Sequence, residues 1–273
     1  MNDNLTFWQH LDVLRGALIR CLVAVVACAV VAFCLKEPLF HLILWPQKTD
    51  FPLYRLLGAM PSSFHLSTFT FHLSPFTSDE IPLISTGLAH QFLAHMRVAL
   101  AVGALVVSPY ILFEVFRFLA PGLYPNERRA GLPALVAGWV VFFAGVAFSY
   151  CVLFPFTFRF LGTYRVQSGV ENLITLDSYI STLLLMCLMM GVLFELPVLC
   201  WLLARLGLLT AAPMRTYRKH AFVAILILAA VITPTGDLFT LSLVALPIYV
   251  LYEASIGVVK RTEKQLDSPL SSR

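Results

Sequence analysis

The stretch Tyr179–Ala204, YISTLLLMCLMMGVLFELPVLCWLLA, decides the fold. It is apolar throughout and carries one ionisable group, Glu195. A membrane-spanning helix needs about 20 mostly apolar residues, and this segment supplies them. Working outward, five more segments read the same way. Ala17–Leu35 has Arg20 close enough to its start to snorkel. Leu88–Phe113 holds Arg97 in its outer half, and Pro133–Phe154 has no charged residue. Ala221–Thr235 and Leu238–Ile256 flank Gly236-Asp237 and form a tight hairpin. Between His220 and Asp237 a helix reaches only about 24 Å at about 1.5 Å per residue. A hydrocarbon core is about 30 Å thick, so the bilayer thins there or tilted partners meet the hairpin. The reading is an all-α polytopic membrane protein with six transmembrane helices and a short final helical hairpin.

Composition agrees. Of 273 residues, 59% are hydrophobic and 12% charged, with mean hydropathy +0.83. Soluble domains are about 45–50% apolar and about 25% charged. An ordinary soluble enzyme, a disordered chain and a nucleic-acid binder are excluded. No stretch is left for a separate soluble domain of typical size, roughly 100 residues.

Charge placement sets the orientation. Arg15 and Arg20 precede or open the first span. Arg117, Arg128 and Arg129 lie between the second and third, and Arg205, Arg215, Arg218 and Lys219 between the fourth and fifth. Lys260, Arg261, Lys264 and Arg273 follow the sixth. These are 13 of the 19 basic residues. Both termini are therefore expected to be cytoplasmic. The run Cys21–Leu35 leads into Lys36-Glu37-Pro38 without a small-residue cleavage site, so the first span is expected to stay.

The chain reads as one membrane domain over 1–257, with a disordered cytoplasmic tail over 258–273. Within the domain, segment 5–16 is amphipathic. Phe7, Leu11, Leu14 and Leu18 recur at intervals of 4, 3 and 4 residues, one face of a helix. Such a helix would lie along the cytoplasmic interface and then turn into the first span. The stretch 39–82 is broken by Pro46, Pro52, Pro61, Pro75 and Pro82, yet holds Phe64, Phe69, Phe71 and Phe76. Proline blocks long helices, and the phenylalanines are too apolar for a free linker, so an ordered outer cap is expected. The six cysteines lie in or beside apolar runs and form no C-x-x-C. They read as packed small hydrophobes rather than a disulfide framework or zinc site. The spacing of His65, His72, His90 and His95 demands no metal, and no cofactor is expected.

Ionisable groups within spans are functional suspects. Glu195 precedes Pro197, which frees a backbone carbonyl about one turn earlier and bends the helix. It reads either as a protonated or hydrogen-bonded group facing the bundle, or as a docking point for a polar group on a partner helix. Glu114 follows Ser108-Pro109-Tyr110 at the cytoplasmic end of the second span, as a solvated carboxylate or a second intramembrane polar site. Arg97 is expected to snorkel outward. Asp237 is expected to cap the sixth helix beside Thr233-Pro234. In the loop Phe116–Arg129, Pro121-Gly122 forces a turn. Glu127 either pairs with a neighbouring arginine or receives a guanidinium from a bound peptide through a bidentate contact.

Phe118-Leu119-Ala120-Pro121-Gly122-Leu123-Tyr124, followed by Glu127-Arg128-Arg129, resembles the first cytoplasmic loop of the TatC subunit of the twin-arginine protein translocase. The likeness runs along nearly the whole chain. His10-Leu11-Asp12-Val13-Leu14-Arg15 is similar to the family's N-terminal H-L-x-E-L-R, and Ser108–Glu114 to the end of its second span. Phe194-Glu195-Leu196-Pro197 resembles its intramembrane glutamate motif. Thr233-Pro234 with Asp237, then Pro247 and Leu251-Tyr252-Glu253, resemble its final hairpin. No single motif decides; five in order on the right spans are specific.

The resemblance implies a receptor in the cytoplasmic (inner) membrane of a prokaryote. It would bind twin-arginine signal peptides and export folded proteins with the proton-motive force. It implies single-span TatA- and TatB-like partners and self-association in a larger complex. By position Phe118 and Glu127 inherit the loop's apolar contact and its carboxylate for guanidinium, and Arg15 a role in ordering the N-terminal region. Asp12 joins them as the acid nearest the altered motif. Glu195, Glu114 and Asp237 fall at intramembrane polar or docking positions, and Pro46, Pro109, Pro121 and Pro197 at structural ones. Two positions depart: the family's N-terminal acid corresponds to Val13 and its second basic residue to Ala17. Asp12 is adjacent, but helical neighbours point about 100° apart.

Two rival classes fare worse. An intramembrane protease lacks H-E-x-x-H and a G-x-S-x-G serine, and Pro234-Thr235-Gly236-Asp237 matches G-x-G-D only superficially. A small-solute secondary transporter favours inverted repeats and several midplane polar groups, and neither is visible.

Overall fold

A computed structural model describes residues 7–48, 50–58, 63–66, 69–72, 81–119, 131–163, 173–233 and 237–267. The chain opens with α1 (Phe7–Cys34), a single unbroken helix. The expected turn between an interfacial segment 5–16 and the first span is absent. No proline interrupts this stretch, and a break would leave backbone groups unsatisfied beside lipid.

α1 runs antiparallel to α4 (His90–Leu119), which follows the outer cap. At one end Arg20 meets Glu114; at the other Phe33 contacts Phe92 and stacks on His95. Midway the two backbones touch. A Cβ on Gly103 would fall 2.8 Å from both the Val25 carbonyl and the Ala29 nitrogen. Small residues permit such approach where lipid offers no hydrophobic drive. Pro109 lies inside α4 and cannot donate to the Leu105 carbonyl. The Ser108 hydroxyl does so instead, at 2.7 Å.

α5 (Gly131–Phe148) continues through a widened π turn, Ser149–Leu153, into α6 (Phe154–Thr163). The wide turn precedes Pro155, which lacks the donor for a regular helical bond. The decisive stretch forms α7 (Leu176–Phe194) and α8 (Leu196–Arg205), parted at Glu195. Pro197 sits in the first turn of α8 and leaves the Leu193 carbonyl without its helical donor. The core centres on α7: Ile180, Met186 and Met190 are fully buried, together with Val98 of α4.

After α9 (Ala211–Thr216), α10 (Arg218–Ile232) and α11 (Leu238–Asp267) form the final hairpin. α10 has 15 residues, about 22 Å of helix. Among the described residues, five helical segments are long and apolar enough to cross a membrane: Leu11–Cys34, His90–Phe118, Pro133–Thr163, Leu176–Arg205 and Leu238–Gln265. α10 is the shorter helix at the place of the expected fifth span.

The expectation of a disordered tail from 258 is corrected. α11 stays helical to Asp267, with Val259 and Thr262 buried. Glu263 accepts a hydrogen bond from the Ala211 amide at 2.8 Å, and the Tyr252 hydroxyl donates to the Met214 carbonyl at 2.7 Å. One face of the extension packs on α8 and α9, while Lys260, Arg261 and Lys264 are exposed. That mixture of charge and spaced apolar groups looks like a tail in a linear reading.

The outer cap contains α2 (Lys36–Ile43), a 3-10 turn Trp45–Gln47 holding buried Pro46, and α3 (Pro52–Gly58). Three tyrosines fasten it by donating to its carbonyls. Tyr150 reaches Leu42 at 2.6 Å, Tyr179 reaches Ile43 at 2.9 Å, and Tyr54 reaches Pro46 at 2.9 Å. Buried Arg159 of α6 lies over the Tyr54 ring, 4.6 Å from its centroid. Burial pushes the Tyr54 phenol up to about 12, so it remains a donor at physiological pH. A short antiparallel ladder joins β1 (Ser63–Leu66) to β2 (Phe69–His72). Parallel pairing of β3 (Leu83–Ile84) with β4 (Ile174–Thr175) ties the cap's end to the start of α7. Arg97 does not snorkel freely: it pairs with Asp177 at 2.7 Å and donates to the Ser181 hydroxyl at 3.0 Å.

Candidate functional site

Two polar sites stand out among the described residues. The first lies where the start of α1 meets the end of α4. Arg20 grips Glu114 with both prongs of its guanidinium: Nε donates to Oε1 at 2.9 Å and Nη2 to Oε2 at 2.8 Å. The Tyr110 hydroxyl also donates to Oε1, at 2.9 Å. The carboxylate side chain is 4% exposed and the arginine 47%. Beside the pair opens a pocket of about 200 Å³ lined by Asp12, Val13, Arg20, Glu114, Arg117 and Phe118, with Gly16 and Ala17. Gly16 lies close to the pair: a Cβ there would stand 3.3 Å from Arg20 Nη1. The pocket thus joins two carboxylates, two guanidiniums and one aromatic ring. It can hold a cationic group against Asp12 while Phe118 covers apolar surface.

The second site surrounds Glu195. Its Oε1 is buried and, among the described residues, has no hydrogen-bond partner. A groove of about 260 Å³ runs past it, walled by Leu112, Val115 and Phe116 of α4, Ala134, Leu135 and Gly138 of α5, and Val192, Val198, Leu199 and Leu202 of α7 and α8. The lining is apolar except for the glutamate. It suits an apolar segment that brings one hydrogen-bonding group to the carboxyl.

The remaining candidates are placed as follows. Asp237 caps α11, its Oδ2 accepting from the Thr240 amide at 2.8 Å. Arg15 is exposed and does not line the pocket. Pro46, Pro109 and Pro197 occupy the turn, the helix interior and the helix start described above. Glu127 and Pro121 lie outside the described residues. All six cysteines are free thiols. Among the described residues no group of three or more His, Cys, Asp or Glu side chains could hold a metal ion.

Comparisons with known proteins identify the family. The family described as Sec-independent protein translocase protein (TatC) matches residues 9–247. The chain belongs to the TatC family. It is 33% identical over 257 residues to a TatC protein of Blattabacterium, covering 94% of this chain and 95% of that one. It is 33% identical over 270 residues to a TatC protein of Deinococcus radiodurans, covering 97% and 91%. A crystal structure of the twin-arginine translocase receptor TatC superposes with a TM-score of 0.72 at 28% identity, over 93% of this chain and 99% of that one. A second crystal structure of that receptor, in DDM, gives the same TM-score. As a TatC protein the chain is a multi-pass membrane component of the twin-arginine translocase, not an enzyme.

Reading the sequence for TatC motifs missed Arg20 and Tyr110 as site residues. A usable signal was present. Arg20 near the start of one apolar span and Glu114 near the end of the next lie at similar depth, and intramembrane charges seek each other.

Proposed function

We propose that this TatC protein binds twin-arginine signal peptides in the pocket between α1 and α4, at the cytoplasmic face of a prokaryotic inner membrane. It then passes folded cargo to single-span TatA- and TatB-like partners under the proton-motive force. One observation carries the reading: Asp12 and Phe118, more than a hundred residues apart in sequence, share one pocket. Glu127 follows Phe118 by nine positions, and α4 ends at Leu119 between them. Asp12 and Glu127 bring carboxylates to the site of the arginine pair, and Phe118 supplies the apolar contact beside it. Arginine is favoured over lysine because a planar guanidinium meets a carboxylate through two parallel hydrogen bonds. Arg15 orders the N-terminal turns of α1 from outside the pocket. The groove at Glu195 and the short α10–α11 edge receive the partner helices, and copies of the chain associate in the larger complex.

The test is equilibrium binding of a labelled signal peptide to the purified chain. An Arg-Arg peptide should bind and its Lys-Lys counterpart bind far more weakly. Asp12→Asn and Phe118→Ala should each weaken Arg-Arg binding by about tenfold, the scale of one charge-assisted or well-buried contact. Equal binding of the two peptides to the unaltered chain would overturn the reading.

A further inference from the structure

Glu114 lines the same pocket as Asp12 and Phe118 and already holds a guanidinium. We infer that Glu114 with Tyr110 is a guanidinium subsite, filled by Arg20 in the resting protein and taken over by one arginine of the signal peptide. This rests on the pocket being the signal-peptide site.

Three features carry it. The contact has the forked geometry that selects guanidinium over ammonium, with Nε on Oε1 and Nη2 on Oε2. The Tyr110 hydroxyl also donates to Oε1 and needs no change when one guanidinium replaces another. The two partners also differ in exposure: the carboxylate is 4% exposed, whereas the arginine is 47% exposed and borders the pocket. Glu114 is therefore fixed in the wall, and Arg20 is the member able to leave. On leaving, its long side chain reaches the interface and keeps its charge in water.

An arginine-for-arginine exchange keeps every bond at Glu114. A lysine ammonium cannot rebuild the fork, so it pays for displacing Arg20 without recovering both contacts. Selectivity thus arises from competition with a resident arginine as well as from direct attraction. The exchange also releases the polar tie between α1 and α4 at this end, while the close approach at Gly103 still holds the helices together.

The test uses the same peptide-binding assay on the full chain. The unaltered protein must prefer Arg-Arg to Lys-Lys; if it does not, the pocket assignment fails and the subsite with it. Given that preference, Arg20→Gln should raise Arg-Arg affinity, by up to about tenfold for removal of one charge-assisted competitor. Glu114→Gln should lower Arg-Arg affinity and leave Lys-Lys affinity nearly unchanged, so that the preference collapses. Arg20→Lys, which keeps the charge but not the fork, should give a smaller rise and guards against misfolding of the first variant. The double variant Arg20→Gln/Glu114→Gln leaves no buried charge unpaired and should bind like Glu114→Gln. If Arg20→Gln and Arg20→Lys both leave Arg-Arg binding unchanged or weaker while the preference persists, the pair is a structural tie only and the subsite is wrong.

Discussion

Gly138 of α5 faces Glu195 across the groove: a methyl group on the glycine would lie 3.0 Å from Oε2 of the carboxylate. The glycine makes the room in which a carboxyl group sits at a helix break, inside a bundle that offers its Oε1 no partner among the described residues. A buried acceptor left without a donor costs about 1–3 kcal/mol. The proposed docking of a partner helix in this groove would bring the missing donor.

Filling that room should block the donor. Gly138→Leu is expected to insert and fold with its side chain in the groove, and to abolish crosslinks from Leu199 to the single-span partners. Undiminished crosslinks in the Leu variant would show that partners dock elsewhere.

Removing the carboxylate should separate stability from function. Glu195→Ala is expected to leave thermal stability of the purified chain unchanged or raised, because an unsatisfied group is lost. Export of a folded substrate should fall sharply. Normal export in this variant would make the glutamate a structural residue.

The α1–α4 contact depends on Gly103. Adding a side chain there drives atoms into the backbone of α1, and overpacking costs about 1–3 kcal/mol or more. Gly103→Val should lower the melting temperature in detergent markedly. Gly257→Ala, where a Cβ meets nothing within 4 Å, should raise it slightly through the better helix propensity of alanine.

The cap offers a contrast between buried and exposed polar contacts. Tyr179→Phe leaves the Ile43 carbonyl without its donor in a buried setting and should cost about 1–3 kcal/mol. Protease added from the outer side should then cut between Lys36 and Gly58 more readily. Arg97→Ala breaks an ion pair whose partners are 50% and 35% exposed. It should change stability by less than about 1 kcal/mol. An equal loss in both variants would contradict this ranking.

The spans and the break at Glu195 were legible because they rest on local signals: long apolar runs and a proline two residues past a glutamate. The fastening of the cap was not legible. Tyr150 and Tyr179 lie 108 and 136 residues from the carbonyls they hold, and nothing local marks such pairs. Arg20 and Glu114, 94 residues apart, were each read alone, one as snorkelling and one as solvated or an intramembrane docking site. The helical extension of α11 continues past the charges because its apolar face still finds neighbours in α8 and α9, whereas α1 runs on unbroken with Leu11, Leu14 and Leu18 exposed because nothing in its sequence breaks a helix.

The most direct measurement is site-specific photocrosslinking from Val13 and Phe118, in membranes containing the single-span partners, to a signal peptide bearing Arg-Arg or Lys-Lys. The account predicts crosslinks from both positions with Arg-Arg and their loss with Lys-Lys, since both residues line one pocket. Absence of crosslinks from both positions, or equal crosslinks to the two peptides, would contradict it.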